Sequence, residues 1–398
     1  MTHTLPTCCN CSSTEAEVKQ LVQLTNKSLL CDVCVGELSA FMKDGALAAL
    51  PAFTGKTPRD IVAFMDQYIV GQSDAKVTLA LAVYNHYKRL NAAVQGDIEI
   101  DKSNILLLGP TGTGKTLLAK TIARMLDVPF TVADATSLTQ AGYVGDDVET
   151  VIQRLVQAAD GDIEKAQRGI IFIDEIDKLA AAKSGPSITR DVSGEGVQQS
   201  LLKIIEGARV SVPVSGGRKT PNGQVDMVET KEILFICAGA FVELLKKLNT
   251  PEVSKGSIGF LAEGDKKNAE PREVTPEMLS EFGMIPEFVG RLPIIQVLDE
   301  LDVDALERIL TEPKNAVVRQ MEALLKIDGA ELVIEDGAVR RIAEQAYKLK
   351  TGARGARSVL EKLLKKAQFE VPGTTGAVVT VKADLTVSIE YPAVQLAA

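Results

Sequence analysis

Residues 109–116 read GPTGTGKT, and residues 170–175 read IIFIDE. The first string is a phosphate cradle. Gly109, Gly112 and Gly114 let backbone N–H groups turn inward on an anion, with Pro110, Thr111 and Thr113 completing the loop. Lys115 supplies positive charge at the β- and γ-phosphates, and Thr116 offers a hydroxyl to Mg²⁺, with Leu117 following. The second string is an apolar run ending in two acids. Asp174 is the expected magnesium ligand, and Glu175 is placed to orient or deprotonate an attacking water. The two halves lie about sixty residues apart, and together they predict hydrolysis of a nucleoside triphosphate. Hydrolysis also needs positive charge on the transition state. Arg291 in IPEFVGRLP, and Arg354 and Arg357 in TGARGAR, are the candidates.

A second constellation sits at the N-terminus. Cys8-x-x-Cys11 and Cys31-x-x-Cys34 are separated by nineteen residues, the spacing of a four-thiolate zinc site. All four positions come from protein, so the expected role is structural. Cys9 is an adjacent bystander. A unit of this size builds little apolar core, so Zn²⁺ must supply much of its folding energy, on the order of 10–16 kcal/mol.

These groups need elements to position them. The pattern predicts a helix about Ser73–Leu90, a buried strand Ile105–Leu108 and a helix Lys115–Leu126. Further strands are expected at Pro129–Ala133, Gly169–Ile173 and Ile233–Ala238. Strands alternating with helices imply an α/β domain around a parallel sheet. From about Asp302 the pattern is helical and closes with a hairpin, Ala377–Val381 and Thr386–Tyr391. The domains read as a zinc-binding unit 1–42, a linker 43–57, a large domain 58–300 and a small domain 301–398.

Composition narrows the class. A chain of 398 residues has room for several cores. Its net charge of −9 argues against a nucleic-acid coat or a membrane-surface binder. The longest apolar run, Ile233–Leu245, is broken by Glu243, and no basic segment followed by an apolar core opens the chain. The expectation is a cytoplasmic protein. The two histidines, His3 and His86, leave no zinc-protease motif, and His86 reads as a helix-face residue. The chain is not expected to be a peptidase by itself.

Beyond these single motifs, YIVGQ (68–72), AVYNHYKRL (82–90), AGYVGDDVE (141–149), RDVSGEGVQQSLLKIIEG (190–207), GSIGF (256–260) and IPEFVGR (285–291) closely resemble the ClpX family of AAA+ ATPases. The resemblance covers nearly the whole chain. It implies a homohexamer that burns ATP with Mg²⁺, unfolds protein substrates, in some cases handed over by adaptors, and feeds them to the ClpP peptidase. Val70, Gly71 and Gln72 would border the adenine. Arg291 would be an arginine finger reaching a neighbouring subunit, and Arg354 a sensor from the same subunit's small domain. Tyr143 and Val144 would grip substrate in the central pore, with Arg190, Arg218 and Lys219 in further pore loops. Ile258, Gly259 and Phe260 would dock into ClpP. Thr220 stands where the family usually has histidine, and Leu261 where it usually has glycine, so client choice is expected to have drifted. Two rival readings are a chaperone that works without ClpP and a nucleic-acid-remodelling ATPase.

Overall fold

Three apolar segments of the chain, Ile105–Leu108, Ile170–Asp174 and Leu234–Gly239, become neighbouring strands because each is apolar enough to be buried on both faces. The computed structural model describes residues 7–9, 11, 13–14, 18–23, 29–36, 56–91, 100–139, 146–180, 194–213, 225–249 and 273–392. It divides into two units, Met1–Thr54 and Gly55–Ala398. Of the expected linker, only Lys56 and Thr57 fall among the described residues.

In the first unit, β1 (Leu21–Gln23) pairs antiparallel with β2 (Leu29–Cys31). Its buried centre consists of Cys8, Cys31 and Cys34, with Val18, Leu21 and Leu30 packed around them.

The second unit begins with two helices, α1 (Pro58–Asp66) and α2 (Ser73–Asn91). Thr57 and Asp60 form a capping box that starts α1, with Pro58 at its first position. Strand β3 (Ile105–Leu108) leads through the glycine loop into α3 (Lys115–Leu126), as expected. Then follow β4 (Phe130–Asp134), α4 (Val148–Ala158), α5 (Ile163–Gln167) and β5 (Ile170–Asp174). Next come α6 (Glu195–Glu206), a hairpin of β6 (Arg209–Pro213) and β7 (Val225–Glu229), and β8 (Leu234–Gly239). Helices α7 (Val242–Asn249), α8 (Pro276–Phe282) and α9 (Pro286–Gly290) precede β9 (Ile294–Val297).

The main sheet runs β9-β3-β8-β5-β4, and every pairing is parallel. Its three central strands are almost entirely buried, whereas edge strand β4 alternates in exposure. Strand β9 and the β6–β7 hairpin were not anticipated. Both are short, and the hairpin's exposed face carries mixed residues, so periodicity alone does not separate them from loops.

After the sheet come α10 (Val303–Thr311) and α11 (Val317–Ile327), then β10 (Glu331–Ile334), α12 (Ala338–Lys348) and α13 (Ala353–Glu370). The closing hairpin is β11 (Val378–Val381) with β12 (Val387–Glu390), and β10 joins it in parallel. Leu306 with Leu310, Ile342 with Ala346, and Leu360 with Leu364 recur at helical spacing and pack into one core. His86 lies buried in α2, edge-on to the Tyr87 ring. Burial pushes its pKa down to about 3, a neutral core residue rather than an acid–base catalyst. No helix among the described residues is long and apolar enough to cross a membrane.

Candidate functional site

The glycine loop sits at the C-terminal ends of β3, β8 and β5, where parallel strands present their loops to ligands. Helix α3 starts at Gly114, which has φ of 100° and no side chain to cap the first turn. An uncapped helix end directs N–H groups and the positive end of the dipole at whatever occupies the loop, which suits phosphate.

Lys115 is largely buried, and its Nζ donates to Gly109 O at 2.6 Å and Pro110 O at 3.0 Å. Burial lowers its pKa, while Asp174 and Asp177 oppose the shift by favouring the charged form. Thr113 Oγ1 donates to Pro110 O at 2.9 Å and stiffens the turn. Thr116 Oγ1 donates to Asp174 Oδ2 at 3.1 Å. One hydroxyl and one carboxylate therefore stand together, as a hard oxygen-seeking cation requires. Leu117 is exposed on the first turn of α3.

Glu175 follows with φ of 57°, a left-handed conformation uncommon for a residue with a Cβ. Its N–H donates to Asp174 Oδ1 at 2.9 Å, and its side chain is exposed. The strained step turns the chain sharply at the end of β5.

The small helical region closes over this loop. A Cβ built on Gly112, at φ of +85°, would come within 3.0 Å of Gly352 Cα and closer still to Thr351 O. Ala353 N donates to Gly112 O at 3.2 Å. Neither glycine tolerates a side chain here, because backbone meets backbone. Arg354 is close enough for its charge to act on Lys115, whereas Arg357 turns back to Glu361 at 2.7 Å. A cavity of about 320 Å³ lies beside the loop, lined among others by Pro110, Thr111, Thr113, Leu301, Tyr347 and Gly352. Its size falls in the range of small-molecule pockets. Val70 and Gln72 are buried, and Gln72 bonds the backbone of Asp299, next to the cavity-lining Glu300.

Arg291 lies elsewhere. Its backbone O accepts from Asn104 Nδ2 at 2.9 Å, at the start of β3, and its N–H donates to Phe288 O. Its side chain pairs with Glu206, at 2.8 Å from Nη2 and 2.9 Å from Nε. Asn104 and Gly109 lie five steps of extended chain apart, about 16 Å. Arg291 is thus not part of the pocket formed by its own loop.

Four site-building residues escaped the motif reading. Asp177 accepts from Ala240 N at 3.0 Å and Phe241 N at 3.4 Å, tying the ends of β5 and β8 together. Gln198 is fully buried. It accepts from Ile285 N and donates to Leu179 O, so it mounts the segment that carries Arg291. Asn104 and Glu206 hold Arg291 itself. Asp177, three residues past Asp174, was within sight of the acidic motif, and Gln198 and Glu206 fall in the string 190–207, but nothing local marks their contacts or those of Asn104.

In the N-terminal unit the sulfurs of Cys8, Cys11, Cys31 and Cys34 all lie within 4.8 Å of one another. Cys31 N donates to Cys8 Sγ at 3.3 Å and Cys34 N to Cys31 Sγ at 3.4 Å. Such N–H bonds to sulfur favour thiolates, and the donor set fits a four-coordinate metal. Cys9 is exposed and outside the cluster. Tyr143, Val144, Arg190, Arg218, Lys219, Ile258, Gly259 and Phe260 lie outside the described residues.

Residues 100–295 match the AAA domain (Cdc48 subfamily), and residues 301–372 match the C-terminal D2-small domain of ClpB protein. Among curated proteins, the ATP-dependent Clp protease ATP-binding subunit ClpX of Treponema denticola is 48% identical over 377 residues. The alignment covers 93% of this chain and 91% of that protein.

Proposed function

The chain belongs to the ClpX family of AAA+ ATPases, and from that premise we propose how its residues divide the work. It is an ATP hydrolase that unfolds proteins as the ATP-binding subunit of a Clp protease, and is not itself a peptidase. ATP lies in the cavity between the glycine loop and the small domain, its phosphates on the open N-terminus of α3. Lys115 would leave its backbone acceptors for the β- and γ-phosphates, and Thr116 and Asp174 would hold Mg²⁺, whose charge would be available to offset that of the phosphate oxygens. Glu175 takes a proton from the attacking water. Arg354 rides on the small domain and reads phosphate occupancy.

The single observation that carries most weight is the position of Arg291. Anchored at the N-terminal end of β3, it is too far from its own loop to touch the phosphates there. A neighbouring protomer in a ring is the natural recipient of its charge, which ties hydrolysis to a homohexamer. Substrate chains would then be gripped in the pore by Tyr143 and Val144, with Arg190, Arg218 and Lys219 adding charge. Ile258, Gly259 and Phe260 would anchor ClpP.

One experiment tests the mechanical reading. With ATP and ClpP, the chain should unfold a stably folded fluorescent substrate. Tyr143→Ala should slow that unfolding by an order of magnitude or more while ATP is still consumed. Unfolding by the variant at the unaltered rate would remove the pore-loop role.

The four cysteines hold one structural Zn²⁺. Elemental analysis should find one zinc per chain, and Cys31→Ser should release it and melt the first unit. Its amide-exchange protection should collapse while that of β3 and β8 is retained, since structural zinc supplies folding energy outright.

A further inference from the structure

The segment joining α1 to α2 is bonded to the chain on both sides of α10. Before that helix, Gln72 Nε2 donates to Asp299 O at 2.9 Å, and Gln72 Oε1 accepts from Asp299 N at 2.9 Å. Beyond it, Lys314 N donates to Gln67 O at 2.8 Å. The first helix of the small domain is therefore bracketed by one short strap, residues 67–72.

The strap is itself stiff. Lys76 Nζ donates to Ile69 O and Asp66 Oδ1, both at 2.6 Å. Just past the strap, Asp74 in the first turn of α2 accepts from Gln296 Nε2 at 2.9 Å, which ties that turn to β9. Gln72 is buried and has φ of 56°, and that turn aims its amide at the Asp299 backbone. A primary amide carries one acceptor and a pair of donors at its tip. It can therefore pair with the N–H and C=O of one residue as a neighbouring strand would. Asparagine is a methylene shorter, and methionine has the length without the polar atoms.

The gripped residue lies at a junction. Leu298 N donates to Leu108 O at 2.7 Å, and a Cβ on Gly109 would lie 3.0 Å from Leu298 Cβ. Glu300 and Leu301 line the cavity beside the glycine loop. Residues 298–301 thus touch the start of the loop, the strap and the cavity, and then run into α10.

Resting on the reading that ATP occupies this cavity, we propose that Gln72 is a positioning residue that makes the strap a lever on the small domain. Its side chain is committed to the Asp299 backbone rather than to the base. A nucleotide settling against Glu300 and Leu301 shifts residues 298–301. The Gln72 amide passes that shift from Asp299 to the strap, and the Gln67–Lys314 bond passes it to the far end of α10.

The test uses the full chain with spectroscopic labels, attached without cysteine chemistry, at exposed Lys120 and Lys365. Their separation is measured without nucleotide, with ADP and with ATP, and ATP binding is measured on the same samples. The unaltered chain should bind ATP and change its label separation. Gln72→Met should lose more than half of that change, and its KM for ATP should rise about tenfold. Gln72→Glu keeps an acceptor for Asp299 N but loses the donor, and should fall between the two. This graded order supports the clamp, since a general loss of stability would not rank the variants by hydrogen-bonding capacity. A full-sized change in Gln72→Met overturns it, as does an unaltered chain that binds ATP with no change in separation. Should Gln72→Met fail to fold, Gln72→Glu decides, and a full-sized change there overturns the clamp. An unaltered chain that binds no ATP would instead overturn the reading of the cavity.

Discussion

Arg291→Ala should lower the rate of ATP hydrolysis by about 10³–10⁵-fold, the usual worth of an arginine finger, if it serves as one in trans. Among the described residues the side chain pairs with Glu206, and both partners are more than a third exposed. Exposed pairs of this kind contribute about 0–1 kcal/mol. Exchanging Glu206 for a phosphate therefore costs little. The backbone beneath it is held far more firmly, by Asn104 and through Gln198 at Ile285. A rigid mount with a loosely held guanidinium suits a group that must reach across an interface.

Mixing separates a finger in trans from a structural arginine. Protomers carrying Arg291→Ala and protomers carrying Glu175→Gln should each be nearly inactive alone. In mixed rings, some sites combine an intact Glu175 from one protomer with an intact Arg291 from the next, and hydrolysis should return in part. Mixed rings no more active than their components would place Arg291 outside the reaction.

The second large effect is at Glu175. Glu175→Gln keeps the side-chain length and the same left-handed backbone requirement, so ATP should still bind. Loss of the carboxylate removes the proton acceptor for water, and general-base catalysis is worth about 10²–10⁴ in rate. The expected product is a ring that traps ATP. Binding is read by retention of labelled ATP, and turnover by released phosphate. Turnover within threefold of the unaltered chain would assign the base elsewhere.

The local elements were readable where one physical rule dominates. Ile105–Leu108 and Lys115–Leu126 match the expected limits because a buried apolar run gives way to a glycine loop and then to helical spacing. The same holds, within a residue, for the strands ending in Asp174 and Gly239. Strand β10 was missed because Glu331–Ile334 is four residues long and its partner lies far along the chain. Loop closure over such a distance leaves no local signal.

The sequence by itself singled out the residues proposed here to do the chemistry. Glycine, lysine, threonine and paired acids have few other uses at that spacing, and four paired cysteines few besides a metal. Only the tertiary structure decided their geometry. It set Arg291 at the far end of β3 from the loop, turned Arg357 away from it, and seated Gly352 on Gly112. It spent the Gln72 amide on a backbone more than two hundred residues away. Such facts depend on how separate elements pack, and packing depends on contacts between residues that the chain order keeps apart.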